Sequence, residues 1–283
     1  MTEEVKEEAR SRPARTKLST VGQIAAWLWV LLVVLVAIGV PYFSIIATSL
    51  IRLRGYGLAA GNFTLDHYKE LLQTPKALSS IWKSLFLAVS PATICSVIGT
   101  AVAVAVRKSR GFFKKALEGI SLLPEMLPSI VLVIGHILFW NAVYKIIPLY
   151  NTIWIVVLAY VILYLRYTVQ YVTSAFTQIN DSLLQAGRVF GGTPSYVFRR
   201  VTLPMISRGI FAGWLMIFII AFRELVTASL IAPPNTLVVS TYINREFEQE
   251  SVSSGCAMAV LCVLVTTTAL LVSNRLAGKR KGT

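Results

Sequence analysis

Residues 181–204 read DSLLQAGRVFGGTPSYVFRRVTLP and lie between two strongly apolar segments of the chain. Asp181 can cap a short helix, and Leu183, Leu184, Gly187, Val189 and Phe190 fall mainly on one side of it. Gly191-Gly192 end that helix. Thr193 can cap a second one with Pro194 in the first turn, where proline is tolerated, and residues 195–201 lead to Leu203-Pro204 at the next apolar segment. A connection between apolar segments needs no such patterning unless something docks on it. A short amphipathic helix held out in this way suits a groove on another protein.

Outward from this connection, apolar runs dominate. Of 283 residues 55% are hydrophobic and 14% charged, against about 25% charged in a soluble domain, and the mean hydropathy is +0.68. Charge-free runs cover 18–51, 84–106, 126–144, 146–165 and 251–274, and most reach the roughly 20 residues that a spanning helix needs. A soluble globular enzyme is excluded. The expectation is an all-α, polytopic membrane protein with six transmembrane helices near 22–50, 82–106, 118–142, 148–168, 205–224 and 252–274. Residues 225–244 are also apolar but carry Pro233-Pro234, which cannot continue a helix. They are expected as a bent or re-entrant connection lined by protein and water, not as a seventh span. The first run is longer than the roughly 7–15 residues of a cleaved signal's apolar region, so it is expected to remain as an anchor. Residues 1–20 and 275–283 are then tails around a membrane domain at 21–274.

The net charge of +14 would suggest nucleic acid in a soluble protein, but the 27 Lys and Arg residues sit in the connections. The tail to residue 17, residues 107–115, residues 166–208 and the C-terminus together hold 19, and the other connections hold 8. By the positive-inside rule the first set is cytoplasmic, which places both termini and residues 181–204 inside and agrees with an even number of spans. The opposite connection at 223–250 carries Glu224, Glu246, Glu248 and Glu250, an acidic surface facing outward. Cys95, Cys256 and Cys262 lie in apolar runs with no Cys-x-x-Cys pair, so neither a disulfide framework nor a zinc site is expected. Gly99 and Ala103, Gly209 and Gly213, and Gly255 and Ala259 are small residues at four-residue spacing. Such pairs let helices approach closely, within one bundle or between subunits.

Gln185-Ala186-Gly187, three residues, Gly191, nine residues and then Val201-Thr202-Leu203-Pro204 resemble the EAA loop of bacterial ABC importer permeases, whose pattern is Glu-Ala-Ala-x3-Gly-x9-Ile-x-Leu-Pro. Gln185 stands where the family usually has Glu, Gly187 where it has Ala, and Val201 where it has Ile. The resemblance runs from the second span to the sixth, and residues 221–225 (Ala-Phe-Arg-Glu-Leu), Pro233-Pro234 and Thr236 look most like the ferric-iron group of permeases. It implies the type I ABC importer permease fold in a bacterial inner membrane, with Leu184, Gln185, Ala186, Gly187, Gly191, Leu203 and Pro204 contacting the ATPase. The implied partners are an ABC ATPase dimer, a second permease subunit (a copy or a paralogue) and an extracytoplasmic substrate-binding protein. The implied mechanism is alternating access, driven by nucleotide closure of the ATPases. No Gly-x-x-x-x-Gly-Lys-Ser/Thr run is present, so ATP and Mg are expected on the partner and no cofactor on this chain. The implied cargo is ferric iron or its chelates, with phosphonate, sugar phosphate, thiamine and polyamine as alternatives.

Several polar residues inside the spans are candidates for the pathway, since intramembrane ionisable groups are costly. Arg223 and Glu224 end the fifth span, either as an interfacial pair or as pathway lining. Adjacent on a helix, they point about 100° apart, so one should pair locally while the other meets water or substrate, with Glu224 the choice for a cation route. Glu125, between Pro124 and Pro128, either accepts hydrogen bonds at a kink or contacts a gate. His136 is either a satisfied buried histidine or a transport residue. Tyr160, Tyr164, Tyr167 and Tyr171 share one helix face, as packing or as a polar pathway face.

Two other classes fit the sequence less well. An intramembrane hydrolase lacks its constellation, since the histidines are His67 and His136 and neither Gly-x-Ser-x-Gly nor His-Glu-x-x-His occurs. A stand-alone secondary carrier would also suit six spans with polar residues inside, but such a carrier has no use for a docking loop.

Overall fold

The computed structural model describes residues 19–249 and 251–279. It is helical throughout, and among the described residues the one β-type pairing is the isolated bridge between Ile51 and Phe63. The chain divides into two compact units, the first ending at Ala47 and the second beginning at Thr48. In the first lies most of α1, Thr20–Leu50. Ser19 caps it by accepting a hydrogen bond from Gly22 N at 3.2 Å. It is apolar on every side, the pattern of a membrane-spanning helix.

The second unit contains α2 (Asp66–Gln73), α3 (Pro75–Lys108), α4 (Gly111–Met126), α5 (Ser129–Ala142), α6 (Ile153–Thr177), α7 (Asp181–Val189), α8 (Pro194–Phe222), α9 (Val226–Ile231), α10 (Val239–Gln249) and α11 (Val252–Lys279). Helices α1, α3, α6, α8 and α11 are each long and apolar enough to cross a membrane, and α4 with α5 supply a sixth crossing if the bent pair is one span.

Helices α3, α6 and α8 form the centre of the bundle, and their close approach is set by small residues around Thr168. A Cβ on Gly99 would lie 2.8 Å from Thr168 Cβ, and one on Gly213 would lie 2.9 Å from Thr168 Cα. Gly209 and Gly255 are similarly occupied, against Tyr171 O and the Phe247 ring. The recurrent small residues thus serve packing within the bundle. Hydroxyls along α3 are accommodated in its apolar setting by bonding back one turn, as Ser90 does to Phe86 O and Thr100 to Ser96 O, both at 2.6 Å.

Several boundaries differ from those expected of the sequence. The third span, expected over 118–142 with a kink at its prolines, is two helices, Gly111–Met126 and Ser129–Ala142, meeting at 101°. Pro128 has no N–H and disfavours helical backbone at the residue before it; Leu127 is extended, at φ −99° and ψ 139°. The fourth helix begins at Ile153 rather than 148, because Asn151 takes φ 64° and Thr152 is extended, and it continues to Thr177. Arg166, assigned above to a connection, therefore sits thirteen residues inside a helix. The fifth span begins at Pro194 instead of 205, so the second helix of the patterned connection is its first turn. The last helix runs to Lys279, five residues beyond 274. Residues 1–18, Glu250 and 280–283 lie outside the described residues. The acidic surface expected of residues 223–250 is reduced, since Glu246 is buried, Glu224 is half-buried and Glu248 is exposed.

Residues 225–244 bend as expected. Helix α9 stops at Pro233-Pro234, Asn235 takes φ 61°, and α10 starts at Val239, where the backbone N–H donates to Ser84 Oγ of α3 at 2.7 Å. Thr227, Ala228, Ile231, Val238 and Val239 are buried while Leu225, Val226 and Leu230 are exposed, so one side of this segment packs on protein.

Candidate functional site

The patterned connection folds as a tight helical hairpin. Asn180, not Asp181, is the cap of α7: its backbone is extended and its side chain accepts from Ser182 N at 3.1 Å, which leaves Asp181 as the first helical residue. At the other end Gly191 takes φ +82°, Gly191 N bonds to Arg188 O at 3.0 Å, and Gly192 N bonds to Gly187 O at 3.1 Å. This is a Schellman termination, in which a left-handed glycine lets the chain satisfy the last carbonyls. Thr193 Oγ1 then accepts from Tyr196 N at 3.3 Å, with Pro194 in the first turn. Gly187 faces Val197, whose Cγ2 would be 3.2 Å from a Cβ there, so α7 packs directly on the start of α8.

This hairpin turns apolar side chains outward. Val189 is 83% and Phe190 90% exposed, and Leu183 and Tyr196 are exposed beside them. Gln185 and Ala186 are also exposed, while the Leu184 side chain lies outside the described residues. Gln185 and Arg188 border a cavity of about 270 Å³ that reaches Arg107 and Lys108 at the end of α3. Arg107 Nη1 donates to Phe176 O at 2.6 Å and its guanidinium lies 5.0 Å over the Phe176 ring, pinning the ends of α3 and α6 together.

Leu203 and Pro204 are helical, and a π turn at Phe198–Thr202 precedes them, with Leu203 N–H bonding to Phe198 O. Pro204 has no N–H for the carbonyl one turn earlier, and its ring crowds that carbonyl; the wider turn relieves the crowding. The same device occurs at Leu35–Gly39 before Pro41. The joint between the hairpin and the span is thus a widened helical turn.

The intramembrane candidates fall into one strip and two separate positions. Glu125, the next-to-last residue of α4, forms an ion pair with Arg166 of α6. The Arg166 guanidinium lies 4.8 Å over the Tyr167 ring, Tyr167 is 6.3 Å from the Tyr164 ring, and Tyr164 is 5.7 Å from that of Tyr160. Tyr164 Oη donates to Glu224 Oε2 at 3.0 Å, and Glu224 Oε1 accepts from Thr227 N at 2.9 Å, capping α9. Ser240 Oγ donates to Glu224 O at 2.5 Å. Glu224 pairs locally with Tyr164 and Thr227 and remains half-buried, and Arg223 is exposed. His136 is buried apart from the strip, its Nε2–H donating to Ile155 O at 3.1 Å.

Sequence reasoning missed Arg166, Thr227 and Ser240. A signal for Arg166 was available: the tyrosine spacing of four, three and four carries a helix on to Tyr171, so a charge between Tyr164 and Tyr167 belongs to that helix. A charge at mid-membrane costs roughly 2.5–3.5 kcal/mol when uncompensated, and the ion pair with the stacked ring supplies the compensation.

The family described as "Binding-protein-dependent transport system inner membrane component" matches residues 95–282. The chain is 23% identical over 193 residues to the spermidine/putrescine transport system permease protein PotC of Haemophilus influenzae, covering 68% of this chain and 73% of PotC. It is 30% identical over 182 residues to the putrescine transport system permease protein PotI of Escherichia coli (strain K12), covering 59% of this chain; the match spans 60% of PotI's length. It is 24% identical over 239 residues to the putative 2-aminoethylphosphonate transport system permease protein PhnV of Salmonella typhi, covering 84% and 89%. Among solved structures, a chain of a bacterial ABC transporter for import of the acidic polysaccharide alginate superposes with a TM-score of 0.74 at 17% identity, covering 91% and 95%. A chain of the MetNI methionine ABC transporter in an inward-facing conformation gives 0.61 at 16% identity, covering 76% and 97%. The helical bundle, the hairpin between its spans and the family match over two thirds of the chain lead to one assignment: the chain belongs to the binding-protein-dependent transport system inner membrane components, as a multi-pass permease subunit of an ABC importer whose ATPase is a separate subunit.

Proposed function

We propose that this chain pairs with a second permease subunit to form a translocation pathway, takes cargo from an extracytoplasmic binding protein and docks its 181–204 hairpin on the ATPase, which binds ATP and Mg. The observation that carries the docking role is the outward display of Val189 and Phe190 on a hairpin whose first helix is capped at both ends. Rigid apolar anchors on a preformed element are what a partner groove requires. In this reading the hairpin and both termini are cytoplasmic; with Arg166 removed from the count, 18 basic residues still stand against 8.

The cargo carries a primary ammonium group. Spermidine, putrescine and 2-aminoethylphosphonate, named for the relatives above, share that group, and phenol rings beside the Glu224 carboxylate suit it through cation–π and charge-assisted contacts. This reading takes the place of ferric iron, which was expected from the sequence.

The test is uptake of radiolabelled putrescine by proteoliposomes holding the complete complex, with its binding protein and ATP. Uptake that requires all of these is expected. Uptake by this chain without an ATPase would favour a stand-alone carrier and overturn the proposal.

A further inference from the structure

We infer that Glu125 is a cargo-contact residue of the pathway, held shut by Arg166 until the cargo's ammonium group replaces the guanidinium; the inference rests on the amine reading above. Four observations support it. The ion pair joins α6 to α4 immediately before the Leu127-Pro128 break, where α4 and α5 turn by 101°, so it fastens a jointed segment to a continuous helix. Its two sides are unequally covered: the Arg166 side chain is 13% exposed and the Glu125 side chain 48%, so an arriving cation meets the carboxylate. The guanidinium keeps a second favourable contact, the Tyr167 face at 4.8 Å, and therefore has somewhere to remain when Glu125 lets go.

The fourth observation is the charge of the strip. Glu125 and Arg166 cancel, and among the described residues the partners of the Glu224 carboxylate are neutral, the Tyr164 hydroxyl and the Thr227 N–H. Together the three charged groups carry one net negative charge, lined by the rings of Tyr164 and Tyr167. A monocation balances that strip while the latch is closed, and with Arg166 drawn aside a second ammonium can occupy Glu125.

The experiment uses the complete complex in proteoliposomes, with radiolabelled putrescine as probe. Arg166→Gln should raise ATP-independent efflux of trapped putrescine about tenfold and raise hydrolysis of ATP without the binding protein several-fold, since the closed state loses a contact. Glu125→Gln should do the same and also lower ATP-driven uptake at least tenfold. The exchanged pair, Glu125→Arg with Arg166→Glu, should restore low efflux but not uptake, because the carboxylate no longer stands on the exposed side. Arg166→Lys, which keeps the charge, should stay near wild type and shows whether a failure of Arg166→Gln is one of assembly. Wild-type efflux and uptake in both single variants would overturn the inference, as would full recovery of uptake in the exchanged pair, which marks a purely structural bridge. If the wild-type complex does not take up putrescine, the amine reading falls and with it the ammonium contact. The closing role is then judged on ATP hydrolysis, and unchanged rates in both single variants would remove that as well.

Discussion

The Tyr164 hydroxyl donates to Glu224 Oε2 across 3.0 Å, tying the middle of α6 to the place where α8 ends and α9 begins. The same carboxylate caps α9 through Thr227 N, so Glu224 holds the start of the bent connection in place. Glu224→Gln keeps an oxygen for the Thr227 N–H, whereas Glu224→Ala removes the cap. A lost cap costs about 0.5–2 kcal/mol. Thermal unfolding of the purified complex should therefore separate the two: Gln, which keeps the cap but loses the charge-assisted bond from Tyr164, modestly lower than wild type, and Ala, which loses both, lower still. In uptake both should be impaired, Gln with assembly and basal ATP hydrolysis intact. Normal uptake by Glu224→Gln would confine this residue to capping.

Tyr164→Phe removes a hydroxyl hydrogen bond to a charged group, a contact worth about 1.5–3 kcal/mol in general, without changing the ring that packs between Tyr160 and Tyr167. The expected result is a lower unfolding temperature together with reduced putrescine uptake. Combined with Glu224→Gln, the loss should be less than the sum of the two, because both act on one contact.

Gly191→Leu places a side chain at φ +82°, where L residues lose roughly 1–2 kcal/mol, and it disturbs the end of α7. The variant should insert in the membrane normally and lose substrate-stimulated ATP hydrolysis. Gly192→Ala should do likewise by a different route, since its Cβ would lie 2.5 Å from Gly187 O. Normal coupled turnover in both would remove the docking role of the hairpin.

Gly213→Val forces a side chain into the backbone of α6 at Thr168 and should prevent stable assembly of the bundle, seen as loss of the monodisperse complex after extraction. Gly135→Ala, where an added Cβ meets nothing within 4 Å, serves as the comparison and should be silent.

Topology is tested with single cysteines and an impermeant thiol reagent on intact cells. A cysteine at Ser195 should resist labelling, and one at Ala60, in the exposed turn after α1, should react. Asn62 is a poor probe, because its side chain is buried and bonds Leu53 N, Leu53 O and Gly57 O. Ready labelling at 195 would reverse the orientation.

The helical class, the number of apolar segments, the two-helix pattern of residues 181–204 and the break at Pro233-Pro234 were all legible in the sequence, because each depends on local composition or on proline and glycine chemistry. What was illegible depends on tertiary partners. Hydropathy treats Arg166 as the end of a span, and only the neighbouring Glu125 explains why the helix carries it through. The sharp turn at Leu127 is signalled by Pro128, but its 101° angle is not, since α4 packs against α3 and α6 while α5 packs mainly against α9. Glu224 reads as a stray charge until Thr227 and Tyr164 arrive beside it from two other elements. The cap at Asn180 in place of Asp181 is a shift of one residue, the usual margin at helix ends.

The central claim, that residues 181–204 receive the ATPase, is tested most directly by a photoreactive benzoylphenylalanine at position 190 of the full chain, irradiated within the assembled importer. The account predicts a covalent adduct to the ATPase subunit in high yield, greatly reduced when Gly191→Leu is present. Adducts only to lipid or to the substrate-binding protein, in a complex that still hydrolyses ATP on demand, would contradict it.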